Sequence, residues 1–419
     1  MSNCMHNLSL EAIEKYKRLS EDDYQLFAGP DWPAYNKFIT HQNIPEFVYK
    51  EIDEFLTNYV PFDNPAFCVL PFYGVEYPQN VACCLMGPHD ITQVKQQMLD
   101  GVRPDACHKC WKLEDMGLQS DRQIKNSMLD YYSNKDIGIL YQQAKDDQAS
   151  VVSYKIDTST TCNSTCVTCG PVSSTAWRSL ESKRSAITFN RTMPSKRAVL
   201  ITKSAATALI NFETAISINF RGGEPLLSKT NFFILEQLIA NKNTDCFIAF
   251  TTNGSIIPSE YQISLLKQFK NLNFNLSIDG IGKVFEYLRY PLSWEAMLTT
   301  IEFCKQMQIS VSASYTISNL NVMYHTETTQ WFKDNSIPYI NNIVHSPRHY
   351  SPSSLPLDAK KRIIEQTSDQ EIANLLNDHK PQDEINYSKA VLDIKKQDLQ
   401  KEINIVDYLP DWVDVTGLT

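Results

Sequence analysis

Cys162, Cys166 and Cys169 stand as C-x3-C-x2-C directly after an apolar, β-branched run at residues 151–158. That run reads as a buried strand, and the cysteines as the loop at its carboxyl end. Loops this short bring three sulfurs to one point, which suits a metal or an iron–sulfur cluster better than a disulfide. A closed structural site takes four protein ligands, whereas three on a cuboidal [4Fe–4S] cluster leave one iron open for a substrate or cofactor. The spacing therefore points to catalysis rather than stapling.

A second cysteine group lies in residues 61–122. Cys68 precedes a short aromatic strand, Cys83 and Cys84 close the next one, and Cys107 and Cys110 follow a short helix and a turn at residues 101–104. Four ligands from these five enclose a complete cluster: Cys68, one of the adjacent pair, Cys107 and Cys110. Neighbours on a strand point to opposite faces, so one of Cys83 and Cys84 is expected to ligate. A zinc knuckle is the alternative that the spacing leaves open. Cys4 reads as a free thiol, and Cys246 and Cys304 as small buried hydrophobes within core-like segments.

Taken in order, residues 1–60 carry helical periodicity interrupted by a turn at 29–33, residues 61–122 form the cysteine-rich segment, and 123–150 form a polar helical bridge. Residues 151–345 alternate strand and helix, with further strands expected at 216–220, 247–251, 274–278, 310–315 and 339–344. Such alternation argues for a parallel sheet with covered faces. Residues 346–419 are punctuated by Ser and Pro, then helical, and contain no cysteine. Packing along the open side of an incomplete barrel and holding a long substrate are both readings of that last region.

Around the cysteine triplet the chain resembles the radical S-adenosylmethionine (SAM) enzymes, whose signature is C-x3-C-x2-C after the first strand of a partial (β/α)6 TIM-like barrel. Three further stretches follow in that family's order: Arg221-Gly222-Gly223-Glu224-Pro225, Thr251-Thr252-Asn253-Gly254-Ser255 and Ser277-Ile278-Asp279-Gly280. The resemblance covers roughly residues 150–345, and each stretch falls at the carboxyl end of its strand, the rim where barrel enzymes keep their chemistry. One departure is Thr168, where many members have an aromatic residue near the adenine.

The resemblance implies an α/β fold and a [4Fe–4S] cluster on Cys162, Cys166 and Cys169 that binds SAM through its open iron. Reductive cleavage would then give a 5′-deoxyadenosyl radical that abstracts hydrogen from carbon. Gly222 and Gly223 would let backbone carbonyls approach the SAM ammonium, with Glu224 as a further acceptor. Asn253 and Ser277 would hydrogen-bond the ribose or carboxylate, and Arg289 would pair with the methionyl carboxylate. Cys107-His108-Lys109-Cys110-Trp111, followed by Glu114, Gly117, Ser120 and Arg122, looks like the auxiliary-cluster (twitch or SPASM-like) segment of members that modify peptides, although here it precedes the barrel.

Composition narrows the classes. At 419 residues, 42% hydrophobic and 21% charged, the chain is long enough for a large core plus appendages, and neither disordered nor fibrous character is indicated. A net charge of −9 argues against a broad nucleic-acid face. Lys183-Arg184 and Lys196-Arg197 read as a solvated surface. No apolar run approaches the roughly 20 residues of a membrane helix and no secretory signal opens the chain, so a soluble cytoplasmic protein is expected. Eleven cysteines fit a cytosolic chain that uses thiolates for metal.

The reading is a radical SAM enzyme that acts on a ribosomally made precursor peptide, by crosslinking, epimerisation or backbone excision. Its implied cofactors are two [4Fe–4S] clusters and SAM. Its implied partners are the peptide, a flavodoxin- or ferredoxin-like electron donor and a small peptide-binding protein. A radical SAM dehydrogenase or epimerase of a sugar or nucleoside is the alternative, and a non-catalytic metal-binding scaffold the alternative from another class.

Overall fold

The computed structural model describes residues 62–83, 86, 89–115, 120–133, 135–185, 199–367, 369–377 and 380–418. The helical reading of residues 1–60, with Cys4 and the turn at 29–33, lies outside the described residues. So do Cys84, Gly117, Lys196 and Arg197, and the side chains of Lys183 and Arg184.

Two compact units divide the chain. The first runs through Lys155 and adds residues 210–218 and 245–247; the second takes 156–209, 219–244 and 248–419. In the first, α1 (Leu70–Tyr73) leads into β1 (Gly74–Tyr77), and α2 (Ile91–Leu99), α3 (His108–Asp115), α4 (Asp121–Ser133) and α5 (Ile137–Lys145) follow before β2 (Ser153–Asp157). Cys68 therefore precedes a helical turn rather than a strand, because Pro71 at the first turn suits a helix start that needs no donor there. Asp90 caps α2 through the Thr92 amide, and Asp136 caps α5 through the Gly138 amide. Phe67, Met98 and Leu140 centre an apolar core with Phe72 and Val94 around them.

Next come α6 (Thr175–Ser185), α7 (Lys203–Leu209), β3 (Ser217–Arg221), α8 (Lys229–Ala240), β4 (Phe247–Thr252), α9 (Glu260–Leu266) and β5 (Leu272–Ser277). They continue with α10 (Gly282–Leu288), α11 (Trp294–Gln306), β6 (Ser310–Ile317), α12 (His325–Asp334) and β7 (Tyr339–Ile343). The last helices are α13 (Leu357–Gln366), α14 (Gln370–Asn377), α15 (Pro381–Lys401) and α16 (Pro410–Thr416). The seven strands lie in one sheet in sequence order, and β4 to β7 pair parallel. That sequential strand order is the order of a partial α/β barrel.

The strand pattern explains the sheet's two faces. Phe220, Phe250 and Phe274 are fully buried and adjoin across β3, β4 and β5, with ring centroids 4.9 and 5.6 Å apart. Phe232 of α8 lies against Phe250. Each such ring contributes roughly 1.5–3 kcal/mol by burial.

The alternate positions are polar and half-buried. Thr251 donates to Asn219 at 3.2 Å, Ser312 donates to Asn275 at 3.3 Å, and Asn273 donates to Ser312 at 3.0 Å. A parallel sheet with covered faces was expected; one face of the sheet is carboxamide and hydroxyl and half-buried. Among the described residues no helix is long and apolar enough to cross a membrane.

Candidate active site: a three-cysteine loop and a four-cysteine cavity

The loop after β2 is held by hydrogen bonds at nearly every step. The Cys162 amide donates to the Thr175 hydroxyl at 3.0 Å, the Thr165 amide to the Tyr290 carbonyl at 2.7 Å and the Val167 amide to the Leu288 carbonyl at 2.9 Å. Ser174 donates to the Ser164 carbonyl at 2.8 Å, and the Trp177 indole to the Cys166 carbonyl at 3.0 Å. A loop so tied presents its thiols with little freedom left to lose on binding a ligand.

Two of its sulfurs are gathered around one hydroxyl. Ser164 Oγ lies 3.2 Å from Cys162 Sγ and 3.3 Å from Cys166 Sγ, while Cys169 is the most exposed of the three. Burial, and after it the neighbouring thiol and Glu224, push the Cys162 thiol up against hydrogen bonds from Ser164 that lower it. A thiol raised by burial ionises when a metal supplies the missing positive charge, so these residues suit an iron ligand set. All described cysteines are free.

The glycines do something more local than the sequence suggested. Gly222 has φ +108°, and a Cβ there would fall 2.4 Å from the Ser159 carbonyl oxygen; at Gly223 it would fall 2.2 Å from that of Thr161. Both positions let the turn after β3 lie directly on the backbone leading into the cysteine loop, with Gly223 N donating to Ser159 O at 2.9 Å and Glu224 N to Thr161 O at 2.7 Å. Glu224 is 1% exposed, and its carboxylate takes Thr252 Oγ1 at 2.7 Å, the Leu226 amide at 3.1 Å and the Asn253 amide at 2.8 Å. Burial raises its pKa despite those donors. Its first task is thus to fix the turn after β4.

That turn brings Asn253 to the thiols. Its Nδ2 donates to Asn163 Oδ1 at 2.8 Å and lies 4.0 Å from Cys162 Sγ. Arg289, at the end of α10, sets Nε 2.6 Å from Asp279 Oδ2 and Nη1 3.9 Å from Cys166 Sγ. Asp279 also accepts from the Thr316 amide at 2.9 Å. Ser277, the last residue of β5, pairs with Ser314 in the sheet register.

In the first unit, Cys68, Cys83, Cys107 and Cys110 line one apolar cavity with Met86 and Met98. Cys107 ends a tight turn and Cys110 lies in α3, three residues apart and so on one side of the coil. Burial, ahead of the neighbouring thiols, holds Cys68 well above the usual thiol range and pushes Cys107 up to about 11.

The pattern Glu114, Ser120, Arg122 is the brace of this cavity. Arg122 pairs with Glu114 through Nε at 2.9 Å and Nη2 at 2.7 Å, donates from Nη1 to the Phe67 carbonyl at 2.7 Å, and lies 5.0 Å over the Trp111 ring. Ser120 donates to the same carboxylate. Asn126 adds a second donor to Phe67 O at 3.0 Å, so the residue before Cys68 is held from two sides.

Among the described residues no three His, Cys, Asp or Glu side chains close to the spacing of a single metal ion. Cys246 and Cys304 are 2% and 0% exposed in the core.

Residues that the sequence reading missed come from the C-terminal helices. Gln397 of α15 donates to the Val167 carbonyl at 3.2 Å and to Tyr350 Oη at 2.9 Å, and Lys401 sets its ammonium 4.9 Å from the centre of the Trp177 ring. The signal was a stripe of polar residues at helical spacing, Asp383, Asn386, Gln397 and Lys401, which α15 buries.

Comparison with solved structures finds partial likeness at low identity. The anSMEcpe structure with bound AdoMet is 18% identical with a TM-score of 0.35, the alignment covering 51% of this chain and 58% of that one. Streptococcus suis SuiB bound to precursor peptide SuiA is 15% identical with a TM-score of 0.35, covering 67% of this chain and 62% of that one. The chain spans less than two thirds of the length of either. No protein-family model matches the chain, and no curated protein matches it.

Proposed function

We propose that this chain is a radical SAM enzyme that modifies a ribosomally made peptide in the cytoplasm, where thiols stay reduced. The observation that carries the reading is the loop of Cys162, Cys166 and Cys169 at the carboxyl end of β2, two of whose sulfurs share the Ser164 hydroxyl while Asn253 and Arg289 face them. Bound there, a [4Fe–4S] cluster and SAM supply one-electron cleavage of the sulfonium and, through it, hydrogen abstraction from carbon.

The chain's own residues hold and shield. Three thiols ligate; backbone donors from 165 and 167 and the Trp177 indole fix the loop; Glu224 aligns Asn253, and Asp279 aligns Arg289. Gly222, Gly223, Asn253, Ser277 and Arg289 are the residues that would receive SAM. Cys68, Cys83, Cys107 and Cys110 would hold a second, fully ligated cluster suited to passing an electron, and the cavity they share supports that assignment. The first electron would come from a flavodoxin- or ferredoxin-like donor, and a small peptide-binding protein would present the substrate.

The test is anaerobic reconstitution followed by dithionite and SAM. 5′-Deoxyadenosine and methionine are expected, together with a mass change in a short peptide encoded beside the gene. Iron-loaded protein that forms no 5′-deoxyadenosine would overturn the reading.

A further inference from the structure

Lys401 is an odd residue to bury. It is 5% exposed, at the last turn of α15, and no carboxylate of the described residues lies within ion-pair distance of its ammonium. Nζ donates to Gln397 Oε1 at 2.8 Å and rests on the Trp177 ring. The two aspartates whose charges reach it are committed elsewhere. Asp393 accepts from Tyr350 and Gln397, and Asp398 from Tyr287 and the Ile405 amide.

Both of its supports grip the cysteine loop. Trp177 donates to the Cys166 carbonyl and Gln397 to the Val167 carbonyl, so the ammonium stands directly behind the segment that carries Cys166 and Cys169. Burial pulls Lys401 down to about 8, while the charges of Cys166, Asp398, Asp393 and Cys169 oppose that shift, and it stays largely protonated at neutral pH. A desolvated cation without an ion-pair partner is costly unless a negative charge arrives. Three thiolates on iron are such a charge.

We infer that Lys401 is a fixed countercharge for the three-cysteine site, which raises the reduction potential of a cluster bound there and so favours its uptake of one electron from a low-potential donor. This rests on the radical SAM reading. The sign follows from electrostatics: reduction from the 2+ to the 1+ cluster state adds one negative charge and moves no proton, and a neighbouring cation stabilises the more negative state. Lys401 contacts Gln397 and the Trp177 ring rather than any residue assigned to SAM, so it would act through its charge and not by contact with the reacting groups.

The experiment compares full-length wild type, Lys401→Met, Lys401→Gln and Lys401→Arg after anaerobic reconstitution. Iron and sulfide are counted, and the electron paramagnetic resonance signal that shifts on SAM addition is titrated against potential. At the wild-type midpoint, the Met and Gln proteins are expected to show a reduced-to-oxidised ratio about tenfold lower, equivalent to about 59 mV for a one-electron couple. The Arg protein should stay near wild type.

Loss of the cluster in the Met and Gln proteins with retention in the Arg protein also supports the inference, since charge alone then separates them. Loss in all three, or a full cluster with an unchanged ratio in the Met and Gln proteins, overturns it. A wild-type signal indifferent to SAM defeats the radical SAM reading itself, and this is seen before any variant is compared.

Discussion

The three-cysteine loop and the four-cysteine cavity reach sulfur clustering by opposite means. The loop draws its thiols from eight consecutive residues and fixes them with main-chain hydrogen bonds to Tyr290 and Leu288 and one from the Cys162 amide to the Thr175 hydroxyl. The cavity draws thiols from residues 68 to 110 and fixes them through an apolar core and one buried ion pair, Arg122 with Glu114. A site built on backbone bonds can leave one face without protein ligands and keep its shape. A site assembled from distant segments depends on its core, and it encloses what it binds. On the proposed function the open site would carry the chemistry and the enclosed one would pass an electron.

The sharpest way to break this comparison is to remove one thiol from the loop alone. Cys166→Ala is expected to abolish 5′-deoxyadenosine formation while the cavity keeps its metal, so iron per chain falls by about half. Loss of nearly all iron would mean that the two sites do not load independently.

Next in size is Arg122→Ala. It leaves Glu114 buried without its partner and frees the Phe67 carbonyl beside Cys68, the side chains of the pair being 10% and 7% exposed. Breaking such a pair costs about 3–5 kcal/mol. A lowered urea midpoint should accompany loss of the cavity's iron, with 5′-deoxyadenosine formation from the loop site less affected.

The two regions were legible in the sequence to different degrees for the same reason. The cysteine loop and the strand ends are local, so spacing and periodicity placed Cys162, Cys166, Cys169 and five of the strands within two residues of their observed bounds. The sixth, β6, starts where expected and ends two residues later, within the same margin. Glu114, Ser120 and Arg122 were visible as a pattern, but their joint carboxylate–guanidinium brace was not, since a pattern does not say which atoms meet. For Gln397 and Lys401 the sequence offers only a stripe of polar residues at helical spacing: Gln397 bonds to a carbonyl 230 positions earlier, and no local rule says which partner such a stripe meets. The glycines at 222 and 223 were read as letting backbone carbonyls approach SAM; the close approach of the Ser159 and Thr161 carbonyl oxygens is a second demand on the same positions that the sequence did not disclose.

A third prediction separates the regions by pH. Asp130 of α4 is 2% exposed, its Oδ1 lacks a hydrogen-bond donor, and burial, followed by Asp136, pushes its carboxyl up to about 7. The folded chain therefore keeps a proton that the unfolded chain releases near pH 4. That stabilisation is complete below pH 4 and is lost as pH rises to about 7, a change of about 2–4 kcal/mol. The urea midpoint of the wild type should fall across that window, and Asp130→Asn should flatten the fall. An unchanged slope would place the pH-sensitive group elsewhere.

The smallest effect tests how far the loop relies on side chains rather than backbone. Trp177→Phe keeps an aromatic ring but removes the 3.0 Å indole donor to the Cys166 carbonyl and weakens the face on which Lys401 rests. Together these changes are worth about 1–2 kcal/mol. If main-chain bonds from Thr165 and Val167 are what fix the thiols, the variant loses that stability in urea yet loads iron as the wild type does. Iron loss in this variant would show that the open site, like the enclosed one, depends on a single side-chain brace, and the contrast between the two would narrow to the number of thiols.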